Sequence, residues 1–305
     1  MSIRVIDLSF PSTDGIHTLF GKGYVPEGEI RGLFHVVHGM REHIGRYDSF
    51  MREIAEAGYL CFGYDNLGHG RTAEADGSFG YIADHEGWMK LARDVHRAGQ
   101  TMKMEYPERP YYLMGHSMGS FIVRLCTLRH PSFPSKLIVM GTGGPNPASG
   151  AGLTAVRTIR VFKKRKGYSP LIDKLAFGKY NEKFGDGVPG DWLSKDPEVR
   201  RSFDADPYCA HSFTIGAMGD LIRLQSEVNK PEWFEKMPVD LPILLISGAD
   251  DPVGDYGHGV KKVYDRLKAR GADVKFKLYS DCRHELLNED CRDTVISDIL
   301  KFIAK

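Results

Sequence analysis

Residues 111–130 read YYLMGHSMGSFIVRLCTLRH. An apolar run passes without a spacer into text of helical periodicity, and the serine at the junction, Ser117, has Gly115 and Gly119 two positions to either side. A strand that turns so sharply into a helix strains the residue at the corner and leaves little room for side chains where the two elements touch. Glycine at 115 and 119 lets the turn close, pushes the Ser117 hydroxyl outward and sets it beside the positive end of the new helix. A bare G-x-S-x-G arises by chance, but one that follows an apolar strand and opens a helix is in the setting that a nucleophilic serine requires.

The remaining text fits that reading. Two N-terminal strands precede GLFHVVHG (32–39), a short β-branched run that predicts a buried strand. A helix is expected from about Tyr47 to Ala57, stopped by Gly58, then a strand at YLCFGYD (59–65) and a turn at GHGRT. Helical spacing runs from about Glu86 to Met104, and after the Ser117 unit come strands at KLIVMG and LPILLISG (241–248). A helix over 257–269, a strand at VKFKLY (274–279) and a last helix complete the series. Strands alternating with helices of ten or more residues predict an α/β fold: a mostly parallel central sheet with helices on both faces.

The rhythm breaks between about Pro145 and Glu235, where no clear β-run occurs and Gly, Pro and aromatic residues are frequent. The expected organisation is a sheet domain built from 1–144 and 236–305, with 145–235 as a mainly helical cap inserted at the sheet's carboxyl edge, where open α/β sheets bind ligands.

Composition excludes other classes. Forty-one basic residues against 40 acidic ones leave no global field that would draw the chain to nucleic acid. Five scattered cysteines, odd in number and without CxxC spacing, argue against a disulfide framework or structural zinc and fit a reducing cytoplasm. The start, MSIRVIDLSFPSTDG, has neither an apolar core nor a basic amphipathic stretch, so a targeting peptide is not expected.

A serine hydroxyl needs a base to become nucleophilic at neutral pH. In the α/β-hydrolase arrangement the partners follow in the order serine, acid, histidine. Beyond LPILLISG only His258 and His284 remain; His258 comes too soon, near a helix start, whereas His284 lies in the loop after VKFKLY and is the expected base. The tip of LPILLISG carries Asp250 and Asp251, and either could orient the imidazole; Asp251, next to Pro252, is the expected acid and Asp250 the expected turn residue. Two backbone N–H groups must meet the developing oxyanion, and the expected donors are Met118, after the nucleophile, and Met40, after the His38-Gly39 pair. Arg41, Glu42 and His43 are readable either as loop ion pairs or as pocket wall.

With HGMREHIGRYDSF, YDNLGHGRT, GHSMGS, ISGADDPVG and a late CRHE in order between residues 38 and 285, the chain resembles the monoacylglycerol lipase and lysophospholipase family of serine hydrolases, which also includes sequences labelled serine aminopeptidases. The resemblance implies an α/β-hydrolase fold, no cofactor or metal, and a Ser117–His284–Asp251 triad cleaving carboxylic acyl esters through an acyl-enzyme. The family usually has a small residue after His-Gly, where this chain has Met40.

The expected cap adds two cues. Arg157, Arg160, Lys163, Lys164, Arg165 and Lys166 are interleaved with apolar residues in a stretch without acids, a pattern that suits peripheral contact with an anionic membrane as well as a solvated helix. Trp192, Phe203, Tyr208, Phe213, Met218 and Trp233 are candidates for an acyl-binding wall. An amidase or aminopeptidase using the same triad is one rival reading, in which Glu182, Asp186 or Asp191 would hold a substrate's amino terminus; a non-catalytic binding protein on the same fold is the other.

Overall fold

The computed structural model describes residues 2–162, 164–184 and 190–305. It opens with the hairpin β1 (Ile3–Pro11) and β2 (Thr18–Pro26), followed by β3 (Leu33–Val37), α1 (Asp48–Glu56), β4 (Leu60–Tyr64), α2 (Gly70–Glu74) and α3 (Gly87–Glu105). The opening unit of the sequence forms β5 (Tyr111–His116) and α4 (Met118–Arg129), and β6 (Lys136–Met140) comes next. The long connection that follows holds α5 (Ser149–Phe162), α6 (Pro170–Phe177), α7 (Pro197–Ala205), α8 (Ile215–Glu227) and α9 (Pro231–Lys236), with no strand among the described residues. The chain closes with β7 (Ile243–Gly248), α10 (His258–Ala269), β8 (Val274–Tyr279) and α11 (Arg292–Ile303).

The eight strands form one sheet in the order β1-β2-β4-β3-β5-β6-β7-β8. β1, β2 and β4 pair antiparallel, and every pairing from β4 onward to β8 is parallel. The interior strands β3, β4, β5 and β7 are buried along their whole length, as expected where helices cover both faces. Alternation of side chains divides each strand between two cores. On β5, Leu113 joins the core under α3, α4 and α10, while Tyr112 and Met114 join the one under α1 and α11. The edge strand β8 carries exposed lysines, Lys275 among them, which oppose pairing with another chain.

Strand order reverses at β3: β4 lies on one side of it and β5 on the other. A crevice opens at the carboxyl ends of strands where the order switches. Both β3 and β5 end there, with Val37 opposite Gly115. Among the described residues no helix is long and apolar enough to cross a membrane.

The β6–β7 connection is not uniform. Its later part merges with the main core, since Leu224, Val228, Trp233 and Phe234 pack there. Its middle part has a small core of its own, made of Leu193, Phe203 and Cys209 with Trp192 against it.

Candidate active site

Ser117 sits between β5 and α4 with φ 54° and ψ −121°, a strained backbone for a residue with a side chain. Its neighbours show why glycine flanks it. A Cβ on Gly119 would lie 2.1 Å from the Val37 carbonyl oxygen, and one on Gly115 would lie 2.3 Å from the Gly119 oxygen. The turn is therefore wedged against the end of β3, and the Ser117 N–H is tied to the Met140 carbonyl of β6 at 3.0 Å.

β7 and β8 bring in the partners. Their loops are pressed together: Asp250 N–H donates to the Cys282 carbonyl at 3.0 Å, and a Cβ on Gly248 would meet the Cys282 and Arg283 oxygens. Asp251 and His284 are thereby paired, with His284 Nδ1 2.9 Å from Asp251 Oδ2. The carboxylate also accepts from Ser247 Oγ and from Val253 N–H, and it is wholly buried. Since a carboxylate only accepts, Nδ1 carries a proton, which leaves Nε2 as the lone-pair nitrogen. His284 is 2 % exposed, and Nε2 has no hydrogen-bond partner among the described residues. A buried, unpaired ring nitrogen is costly unless something is to bind it. His258, by contrast, is exposed at the start of α10.

One cavity of about 600 Å³ is lined by Ser117, His284, Met40 and Met118 together. Met118 is the first residue of α4, where the backbone N–H has no partner within the helix. Gly39 N–H points instead at the Glu42 carboxylate, 2.5 Å away. The four residues expected from the sequence, with Asp251 behind His284, thus come together at one place.

The cavity walls come mainly from the β6–β7 connection. α5 contributes Ala151, Gly152, Ala155 and Val156, small side chains that leave space; α6 contributes Ile172, Leu175 and Phe177; α8 contributes Met218, Leu221 and Ile222. From the expected wall set, Trp192, Phe203 and Met218 line it. Phe213 and Trp233 are core residues, the Trp233 indole donating to the Arg124 carbonyl, and Tyr208 donates to Glu74 outside the cavity.

Sequence reasoning offered Trp192 only as a wall residue and missed its contact with His284. Its ring lies 5.0 Å from the His284 ring, and its carbonyl accepts the His284 N–H at 3.4 Å. Glu285 N–H donates to the Leu193 carbonyl in the same way, and Arg283 grips Asp191, which Arg200 also pairs. Asp191 is thus buried and neutralised, Glu182 is exposed, and neither lines the cavity. Asp186 lies outside the described residues, as do Lys163 and the side chains of 160–162.

The loop after β3 resolves into two uses. Glu42 is buried beneath the cavity, and Arg41, left-handed at φ 56°, lines it. His43 reaches across to Asp206 at 2.9 Å, while the Arg46 guanidinium covers the Phe203 ring at 4.9 Å. The described part of the basic stretch shows two inward contacts. Val156 on α5 turns into the cavity, and Arg165 is drawn inward to Asp220 and the Ala83 carbonyl.

Known proteins share this fold. A solved carboxyl esterase from Bacillus coagulans, in complex with glycerol, superimposes with a TM-score of 0.94 at 33% identity over 99% of both chains. The monoacylglycerol lipase of Mycolicibacterium smegmatis is 27% identical over 97% of this chain and 96% of its own length, and the monoglyceride lipase of Rattus norvegicus is 26% identical over 94% and 86%. Residues 28–291 match the family described as serine aminopeptidase, S33, so the chain, with its eight-stranded sheet, belongs to that family of α/β hydrolases.

Proposed function

We propose that the chain is a serine hydrolase of carboxylic esters, acting on monoacylglycerol- or lysophospholipid-type acyl esters, with residues 145–235 as a cap over the site. One observation carries the reading: the strained Ser117 shares an apolar-walled cavity with a buried His284 whose Nε2 has no partner among the described residues and whose Nδ1 is fixed by Asp251. His284 Nε2 takes the Ser117 proton as Oγ attacks the ester carbonyl, and Asp251 stabilises the imidazolium that forms. Met40 and Met118 N–H groups hold the tetrahedral oxyanion. Collapse expels the alcohol, which takes the proton from His284; water, deprotonated by the same nitrogen, then releases the acid and regenerates Ser117.

An amide substrate held by its amino terminus would need a free carboxylate at the cavity. Glu42 and Glu285 line it but are engaged by His116 and Arg46, while Asp204 of α7 lines it with an exposed carboxylate, so an aminoacyl substrate is the rival that the panel must separate from esters. Hydrolysis of p-nitrophenyl esters from acetate to palmitate, beside monoacylglycerol, lysophosphatidylcholine and an aminoacyl anilide, tests the reading. Preference for medium or long chains with turnover of the glycerol ester is expected, and Ser117→Ala lowers kcat by about 10⁴-fold or more with Tm unchanged. Activity confined to acetate or to the anilide refutes the lipid ester.

Contact with an anionic lipid surface is supported on α6. Leu171 and Leu175 are 57% and 68% exposed one helical turn apart, with Lys164, Lys166 and Lys174 exposed nearby in the chain. Leu175 also lines the cavity, so this face adjoins the mouth. Replacing Leu171, which does not line the cavity, with serine weakens binding to phosphatidylglycerol vesicles several-fold while leaving hydrolysis of p-nitrophenyl acetate intact; unchanged vesicle binding disproves the contact.

A further inference from the structure

His116 precedes the nucleophile, and both nitrogens of its buried ring face oxygen. Nδ1 lies 2.8 Å from Tyr47 Oη and 3.2 Å from Glu42 Oε1, and Nε2 lies 3.2 Å from the His284 carbonyl oxygen. A carbonyl and a carboxylate can only accept, and Tyr47 spends its proton on Glu42 at 2.9 Å. A neutral imidazole would turn a lone pair on one of these acceptors, an unfavourable contact in a fully buried site. With Glu42 as a carboxylate, an imidazolium at His116 satisfies all of these contacts.

Its counter-charge, Glu42, is equally buried and gathers donors from three places. Oε1 accepts Gly39 N–H, Tyr47 Oη–H and His116 Nδ1–H, while Oε2 faces Arg46 Nη1 at 3.4 Å. Arg46 also forms a two-pronged ion pair with Glu285, next to the base, at 2.7 and 2.8 Å. Burial on its own would raise the Glu42 carboxyl, but the His116 hydrogen bond and charge outweigh it and hold it well below the usual range. Burial on its own would lower His116; Glu42 outweighs that and raises it.

We infer that the buried His116–Glu42 ion pair is a positioning element, setting the loop of Met40 and the loop of His284 at a fixed spacing on either side of Ser117. One end fixes the amide before Met40, and the other fixes the backbone carbonyl of the proposed base. A small slip of an oxyanion donor or a base costs far more in the transition state than in substrate binding, which is where this pair acts. The inference rests on the serine-hydrolase reading and adds to it two residues that touch no reacting atom.

The test uses the full-length protein with Glu42→Gln, His116→Asn and the double variant. Each single change lowers kcat about 10- to 100-fold, leaves KM within about threefold, and weakens a trifluoromethyl ketone transition-state analogue by the same factor as kcat. The double variant loses no more than the worse single one, because the two residues act as a unit. Imidazole ¹⁵N spectra of the wild type show His116 still protonated on both nitrogens above the ordinary histidine range, and on one in Glu42→Gln. Should Glu42→Gln fail to fold, Tyr47→Phe, which removes one hydroxyl, carries the test with a several-fold loss of kcat at constant KM. Wild-type kcat and inhibitor affinity in these variants, losses that multiply in the double variant, or a singly protonated His116 overturn the inference. Failure of a fluorophosphonate to label Ser117 in the wild type would instead overturn the serine-hydrolase reading itself.

Discussion

The sheet edge and the β6–β7 connection meet at one cavity but are built on different principles. At the sheet edge backbone touches backbone: Gly119 against Val37, Gly115 against Gly119, Gly248 against the loop of Cys282 and Arg283. Positions there are fixed by hard contacts that no larger residue can enter. In the connection, helices pack through side chains, and the cavity exists because α5 offers Ala151, Gly152 and Ala155 where larger residues would fill it. The difference separates two kinds of information. Reactive geometry is held by backbone contacts, and the shape presented to substrate is held by side-chain volume.

Substitutions can break this contrast. Gly119→Ala places a methyl against two backbone oxygens and is expected to cost more than about 3 kcal/mol in urea unfolding. A stable Gly119→Ala protein would mean that the edge yields after all. Leu221→Trp, in the cavity wall on α8, should lower kcat/KM for p-nitrophenyl decanoate about 10-fold or more and leave acetate within about threefold. Equal losses on both esters would place that wall in the chemistry rather than in selection.

The His43–Asp206 pair, which joins the two regions, sharpens the contrast through pH. Burial alone would raise the Asp206 carboxyl, but hydrogen bonds from His43 and from the Tyr208 N–H hold it low. A carboxyl whose folded value lies below its unfolded one stabilises above the unfolded value and loses that contribution as pH falls through the folded one. Acidification below about pH 4 should therefore release this clasp, worth less than about 1 kcal/mol at a partly exposed site, and Asp206→Asn should remove the pH dependence of protease cutting near 206–209. Smallest of all, Gly150→Ala on the open face of α5 should stabilise by under about 1 kcal/mol, where the same change at 119 is ruinous.

The same division governs what the sequence discloses. β5, Ser117 and α4 are adjacent in the chain, so the strain at the corner and the glycines that relieve it are written within five residues. Sheet strands announce themselves because burial on two faces demands continuous apolar runs. Asp251 and His284 follow from their places after β7 and β8, although nothing in residue type separates Asp251 from Asp250; only the fold turns one inward to the imidazole and leaves the other at a turn. Long-range pairs left no local mark. Arg165 reads as one cation in a basic run, yet its partner Asp220 lies 55 residues on. Glu42 meets His116 across 74 residues, and Trp192 reaches His284 from a stretch without periodicity. Leu171 and Leu175 carry the spacing of core residues and face solvent, since Ile172 and Phe177 take the inward side of that short helix.

The backbone bonds from His284 and Glu285 to the carbonyls of Trp192 and Leu193 carry a consequence for heredity. A lineage can exchange residues on α5, α6 or α8 and so change its diet of substrates, because those helices touch the chemistry only through the space they leave. Residues 190–193 are held on other terms: their main-chain carbonyls bear His284 and Glu285 and the Asp191 carboxylate bears Arg283 and Arg200, so a change in the path or length of this segment would move the histidine. A graft that replaced the β6–β7 connection whole would replace that support along with the cavity wall.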